Sequence, residues 1–96
     1  MNSPQHALPR ASLAVIEQRL REGLQPERLE IEDDSAKHAG HAGAREGGHY
    51  TVRVVSERFR GLTRVARHRL VYDLMAELMR QGIHALAIDA KAPGEP

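Results

Sequence analysis

The 96-residue chain contains no cysteine. That absence excludes disulfides, thiolate metal centres and thiol nucleophiles, and it is compatible with a reducing compartment. Tryptophan is also missing, and the aromatic residues are Tyr50, Phe59 and Tyr72 alone. A core must therefore be built from Leu, Val, Ile, Ala and Met in a small layered fold, since a domain of this length buries only about two-thirds of its unfolded surface. No apolar run approaches the roughly 18 residues of a membrane span. The opening Met1-Asn2-Ser3-Pro4-Gln5-His6 lacks a basic-then-apolar pattern, so a cytoplasmic protein without membrane association is expected.

A net charge of +1 says little, but its distribution says more. Acids crowd into Glu27 to Asp34, whereas Arg53, Arg58, Arg60, Arg64, Arg67 and Arg69 follow with only Glu57 among them. This segregation predicts an electrically polarised molecule.

Residues 1–11 have no period and read as a disordered lead, and 91–96 read as a flexible tail. Between them, Ser12 is a good N-cap for a helix carrying Leu13, Ile16, Leu20 and Leu24, which Pro26 stops. Leu29 to Glu32 alternates as a half-buried strand with an acidic outer face, and His49 to Val55 forms a second strand with Tyr50, Val52 and Val54 on one face. The stretch Ser35 to Gly48, rich in glycine and alanine, is too long for a tight hairpin turn. Ser56 to Gly61 reads as a turn with Phe59 buried into it and an extra turn of helix at 58–62. Thr63 caps a long helix whose apolar stripe is Leu70, Val71, Leu74, Met75 and Leu78, closed by Gly82 at C′. Arg67 falls on the azimuth of that stripe one turn early, which implies a projecting or irregular helix start. Ile83 to Ile88 is a third, mostly apolar strand. The order is α-β-β-α-β, and helices on one face of a three-stranded sheet are the economical packing for an α+β domain.

Three chemistries compete. Six histidines are many for this length: His38 and His41 form a His-x-x-His pair in the loop, His49 starts the second strand and His84 the third. Imidazoles suit zinc, copper, iron and nickel. The spacing is a weak motif, and alternation places His84 with Leu86 and Ile88, where a histidine satisfying a strand edge is the simpler reading. The arginine-rich helix entrance, with Arg64, Arg67, His68 and Arg69, suits an anion or a partner surface, although a solvated basic face explains it equally well. An enzyme is the weakest reading, because no nucleophile stands out beyond scattered Ser and Thr, and a histidine by itself does not make a general base.

Four linked stretches then argue by likeness: Asp33-Asp34-Ser35-x-x-His38; His49-Tyr50-x-Val52-x-Val54-Val55-Ser56-x-x-Phe59-x-Gly61; Arg67-His68-Arg69-Leu70-Val71-Tyr72; and Gly82-Ile83-His84-Ala85-Leu86-Ala87-Ile88. In this order, over residues 12–90, they resemble the BolA family. The resemblance implies an α-β-β-α-α-β domain of class II KH-like fold and a non-enzymatic adaptor. Its implied partner is a monothiol glutaredoxin, with a [2Fe-2S] cluster shared between the two proteins and glutathione bound on the partner side. His84 matches the family's C-terminal ligand and His38 its loop ligand, with His41 an alternative in the same loop. The resemblance also implies transcription regulation and stress response, with DNA contact at the helix bearing Arg67, His68 and Arg69, and a weak homodimer.

Overall fold

The computed structural model describes residues 12–35 and 48–96. Helix α1 (Leu13–Leu24) leads into an antiparallel pair, β1 (Arg28–Asp33) and β2 (Gly48–Val55). A single 3-10 turn (Glu57–Phe59), helix α2 (Arg64–Met79) and strand β3 (Ile83–Lys91) follow. β3 pairs with β2 in parallel, so the sheet order is β1-β2-β3. The α+β class and the succession of elements are those expected, with the middle helix reduced to one turn.

Local chemistry sets the boundaries. The Ser12 hydroxyl accepts from the Val15 amide at 3.3 Å and the Thr63 hydroxyl from that of Ala66 at 3.1 Å, each satisfying a donor that a helix start leaves open. α1 stops where Gln25 turns left-handed at φ 46°, directly before Pro26. α2 ends at Met79 with Arg80 as its cap, so Gly82, at φ 103°, lies one position beyond the expected C′. The last turn tightens, with the Arg80 amide donating to Glu77 and that of Gln81 to Leu78.

Both helices cover one face of the sheet. Ile16, Leu20 and Leu24 of α1 and Val71, Met75 and Leu78 of α2 are buried with Val52, Val54, Phe59 and Leu86, while Leu70 and Leu74 pack at the margin. Leu13, expected in the α1 stripe, is instead exposed at the margin beside Leu29 and Ile31 of β1. The helices meet closely at Gly23, where an added Cβ would lie 2.5 Å from a Leu74 methyl. Ser56, fully buried, ties three elements together: its hydroxyl donates to the Leu24 carbonyl and accepts from the Arg58 amide, and its own amide donates to Lys91.

The other face of the sheet presents Glu30, Glu32, Thr51, Arg53 and Asp89, in register across the strands. Arg53 lies 3.9 Å from Glu30 and 3.4 Å from Glu32, Arg60 lies 2.8 Å from Glu57, and Arg67 lies 2.6 Å from Glu95. The expected polarisation is thereby reduced, because three of the six arginines face carboxylates; Arg58, Arg64 and Arg69 project into solvent. No helix among the described residues is long and apolar enough to cross a membrane.

Candidate functional site

Because β1 is antiparallel and β2 parallel to β3, the end of β1 and the starts of β2 and β3 share one edge of the domain. The segment 36–47 leaves from Ser35 and returns at Gly48, so both of its ends are at that edge. The Asp33-Asp34-Ser35 run builds its base. The Asp33 carboxylate accepts from the Ser35 amide at 2.9 Å, an Asx turn, and the Ser35 hydroxyl accepts from the His49 amide at 3.0 Å. The Asp34 amide donates to the His49 carbonyl at 2.7 Å, while its carboxylate accepts from the Thr51 hydroxyl. These groups, all but Thr51 quoted above as part of the family likeness, tie the end of β1 to the start of β2. On the other side, the Gly48 amide donates to the Gly82 carbonyl at 2.6 Å, joining the loop's return to the start of β3.

His84 enters at an irregularity. The register steps from Gly48↔Ile83 to His49↔Ala85, so His84 is passed over as an additional residue on β3. Simple alternation, which grouped His84 with Leu86 and Ile88, is interrupted: Ile83 and Leu86, three apart, are the buried pair. Such bulges re-aim a strand, and they recur next to functional sites. His38 and His41 lie outside the described residues, and so does the His84 side chain. His49 is half-buried beside the bulge, opposite Ala85. Among the described residues no three His, Cys, Asp or Glu converge to hold a metal. With no cysteine, this chain can offer an iron centre no thiolate, so a cluster would need its thiolates from outside the chain.

The four residues proposed for a nucleic-acid or partner surface do not form one patch. Arg64, Arg67 and His68 line a cleft of about 460 Å³ between α2 and β3, together with Leu62, Asp89 and Glu95. Arg69 points elsewhere, since its azimuth on α2 differs from that of Arg64 and His68. α2 is helical from its first residue, and Arg67 projects over β3 to the turn that follows it. Its guanidinium donates to the carbonyls of Leu62 and Ala90 at 2.9 and 3.2 Å and to both Glu95 carboxylate oxygens at 2.6 and 2.9 Å. This pairing holds the Glu95 carboxyl down at about 2, helped by the Ala92 amide, and raises the Arg67 guanidinium. The segment read as a loose tail is thus anchored at Glu95, and Ala92 is buried. Nothing in the sequence pointed to Glu95, because a contact 28 residues away leaves no local period.

A family model described as BolA-like protein matches residues 20–95. The chain is 46% identical over 85 residues to an uncharacterized protein in the cobS 5′ region of a Sinorhizobium species, covering 85% of this chain and 91% of that protein. It is 44% identical over 86 residues to SufE-like protein 1 of Arabidopsis thaliana, covering 83% of this chain but 23% of that longer protein. Over 74 residues it is 47% identical to the DNA-binding transcriptional regulator BolA of Vibrio cholerae, covering 77% of this chain and 68% of the relative. The solved structure of BolA1 from Arabidopsis thaliana superposes with a TM-score of 0.78 at 42% identity, covering 88% of this chain and 95% of that one. The chain belongs to the BolA family, in fold as in sequence.

Proposed function

We propose that the protein is an adaptor that binds a monothiol glutaredoxin and co-ligates a [2Fe-2S] cluster in iron–sulfur trafficking or iron sensing. The observation that carries this reading is the convergence at one sheet edge of the bulged strand start at His84 and both ends of the segment bearing His38 and His41. In this reading His84 and His38 are the protein's ligands, with His41 the alternative in the loop, and the partner supplies its cysteine and a bound glutathione. When bound, the cluster supplies a redox-active centre whose potential rises as imidazole replaces thiolate. The chain's own contribution is geometric: the Asp33–Ser35 turn and the Gly48–Gly82 hydrogen bond fix the two points, Ser35 and Gly48, between which the His38 and His41 segment runs, at the sheet edge where β3 starts. Mixing the protein with a cluster-loaded monothiol glutaredoxin and following the visible absorption spectrum tests this reading.

A second reading, DNA-binding regulation, is favoured by the likeness to the Vibrio cholerae DNA-binding transcriptional regulator and by the exposure of Arg64 and Arg69 on α2. Phosphate contacts of this kind weaken steeply with salt. A salt titration of duplex binding discriminates, and absence of binding at low salt removes this alternative.

A further inference from the structure

The Arg67 side chain is only 14% exposed, and its position is set by two carbonyls from different elements, Leu62 before α2 and Ala90 in β3. The rest of its fork faces a carboxylate, gripped through both oxygens. Host and occupant differ in how they are held. Glu95, 33% exposed, sits on a turn after β3 that passes through Gly94 at φ 87°. That turn is held by the Ala92 amide bonded to the Glu95 carboxylate and by Arg60, whose guanidinium donates to the Pro93 carbonyl at 2.9 Å.

A guanidinium fork that accepts a carboxylate through two oxygens accepts a phosphate in the same geometry. The cleft around it is also lined by Arg64, His68 and Lys91, with Asp89 as the other acid. Once the Glu95 carboxylate is set aside, Arg64 and Arg67 of α2 remain as cations on the helix side of the cleft, while Lys91 and Asp89, two apart on β3, share the outer side of the strand and offset one another. An excess of two positive charges suits a dianion better than a monoanion.

We propose that Arg67, with Arg64 and His68, forms a phosphate-binding site in which the chain's own Glu95 carboxylate is a resident and displaceable occupant. An intramolecular carboxylate competes with any ligand at its local concentration, so an exogenous anion binds weakly until the turn moves. The site lies on α2 and β3, needs neither the loop histidines nor His84, and does not rest on the cluster reading.

The test uses the whole chain, with inorganic phosphate and acetate as probes, measured by calorimetry and by the NMR shift of the Arg67 side-chain Nε–H. Glu95→Gln removes the competing charge and should bind phosphate about tenfold more tightly than the parent, a change of about 1.4 kcal/mol. Glu95→Ala should do the same by a second route. Acetate should bind more weakly than phosphate to both variants. Adding Arg67→Lys to Glu95→Gln keeps the charge but loses the fork, and should return the affinity to the parent level or below. Equal phosphate affinity in the parent and both Glu95 variants would overturn the proposal, as would acetate binding as tightly as phosphate, or full affinity in the double variant.

Discussion

The amide of Gly48 donates to the carbonyl of Gly82 at 2.6 Å, across the point where the parallel register of β2 and β3 slips past His84. The bond fixes the return of the histidine-bearing segment to the start of the last strand. The Tyr50 ring explains why a glycine stands at 48: an added Cβ would lie 2.5 Å from Tyr50 Cε2 and 2.9 Å from its hydroxyl.

Gly48→Ala should therefore force the Tyr50 ring or the strand start to move. The expected loss is about 1–3 kcal/mol by overpacking. Urea unfolding measures it, and NMR should show the largest amide shifts at residues 82–85. An unchanged midpoint with unchanged shifts would contradict the assigned role.

Ser56→Ala removes the donor to the buried Leu24 carbonyl and the acceptor for the Arg58 amide. Leaving buried polar groups unmatched costs about 1–3 kcal/mol each, so the substitution should destabilise by at least that lower figure. Equilibrium denaturation decides, and a neutral result would mean that the three-element junction is not structurally important.

Gln25 holds φ 46° at the end of α1, a conformation in which a β-carbon is unfavourable. Gln25→Gly should stabilise the fold by about 0.5–1 kcal/mol. For a domain of this size that corresponds to a rise of roughly 2–8 °C in Tm. Calorimetry would show it.

The ion pair of Arg67 with Glu95 gives a pH signature. The Glu95 carboxyl is lowered from an ordinary 4.5 to about 2 in the folded protein. Its contribution is therefore present above the unfolded value and is lost as the pH falls from about 4.5 through about 2. The difference in urea midpoint between the parent and Glu95→Gln should be constant from pH 7 to 5 and should shrink progressively below that. A difference undiminished at pH 2 would show that the charge pair is not its source.

The parts of the fold written in short-range pattern were legible in the sequence. Ser12 and Thr63 announced their helices, Tyr50, Val52 and Val54 their strand face, and Phe59 its burial. Three features were not legible because they depend on contacts between distant residues. The bulge at His84 comes from pairing with β2, the engagement of Arg67 comes from Glu95, and the extension of β3 to Lys91 comes from parallel register with Val55. The candidate ligand positions followed from family likeness more than from spacing. Period two alone grouped His84 with Leu86 and Ile88, and the extra residue that the pairing with β2 inserts there leaves no trace in the spacing.

The proposed co-ligation of a [2Fe-2S] cluster with a monothiol glutaredoxin is tested by the visible absorption spectrum of the cluster-loaded glutaredoxin titrated with the purified chain. The spectrum should shift as a complex forms, and His84→Ala should reduce the shift. An unchanged spectrum, with no complex on size exclusion, would contradict the claim; a full shift with His84→Ala would contradict the ligand assignment.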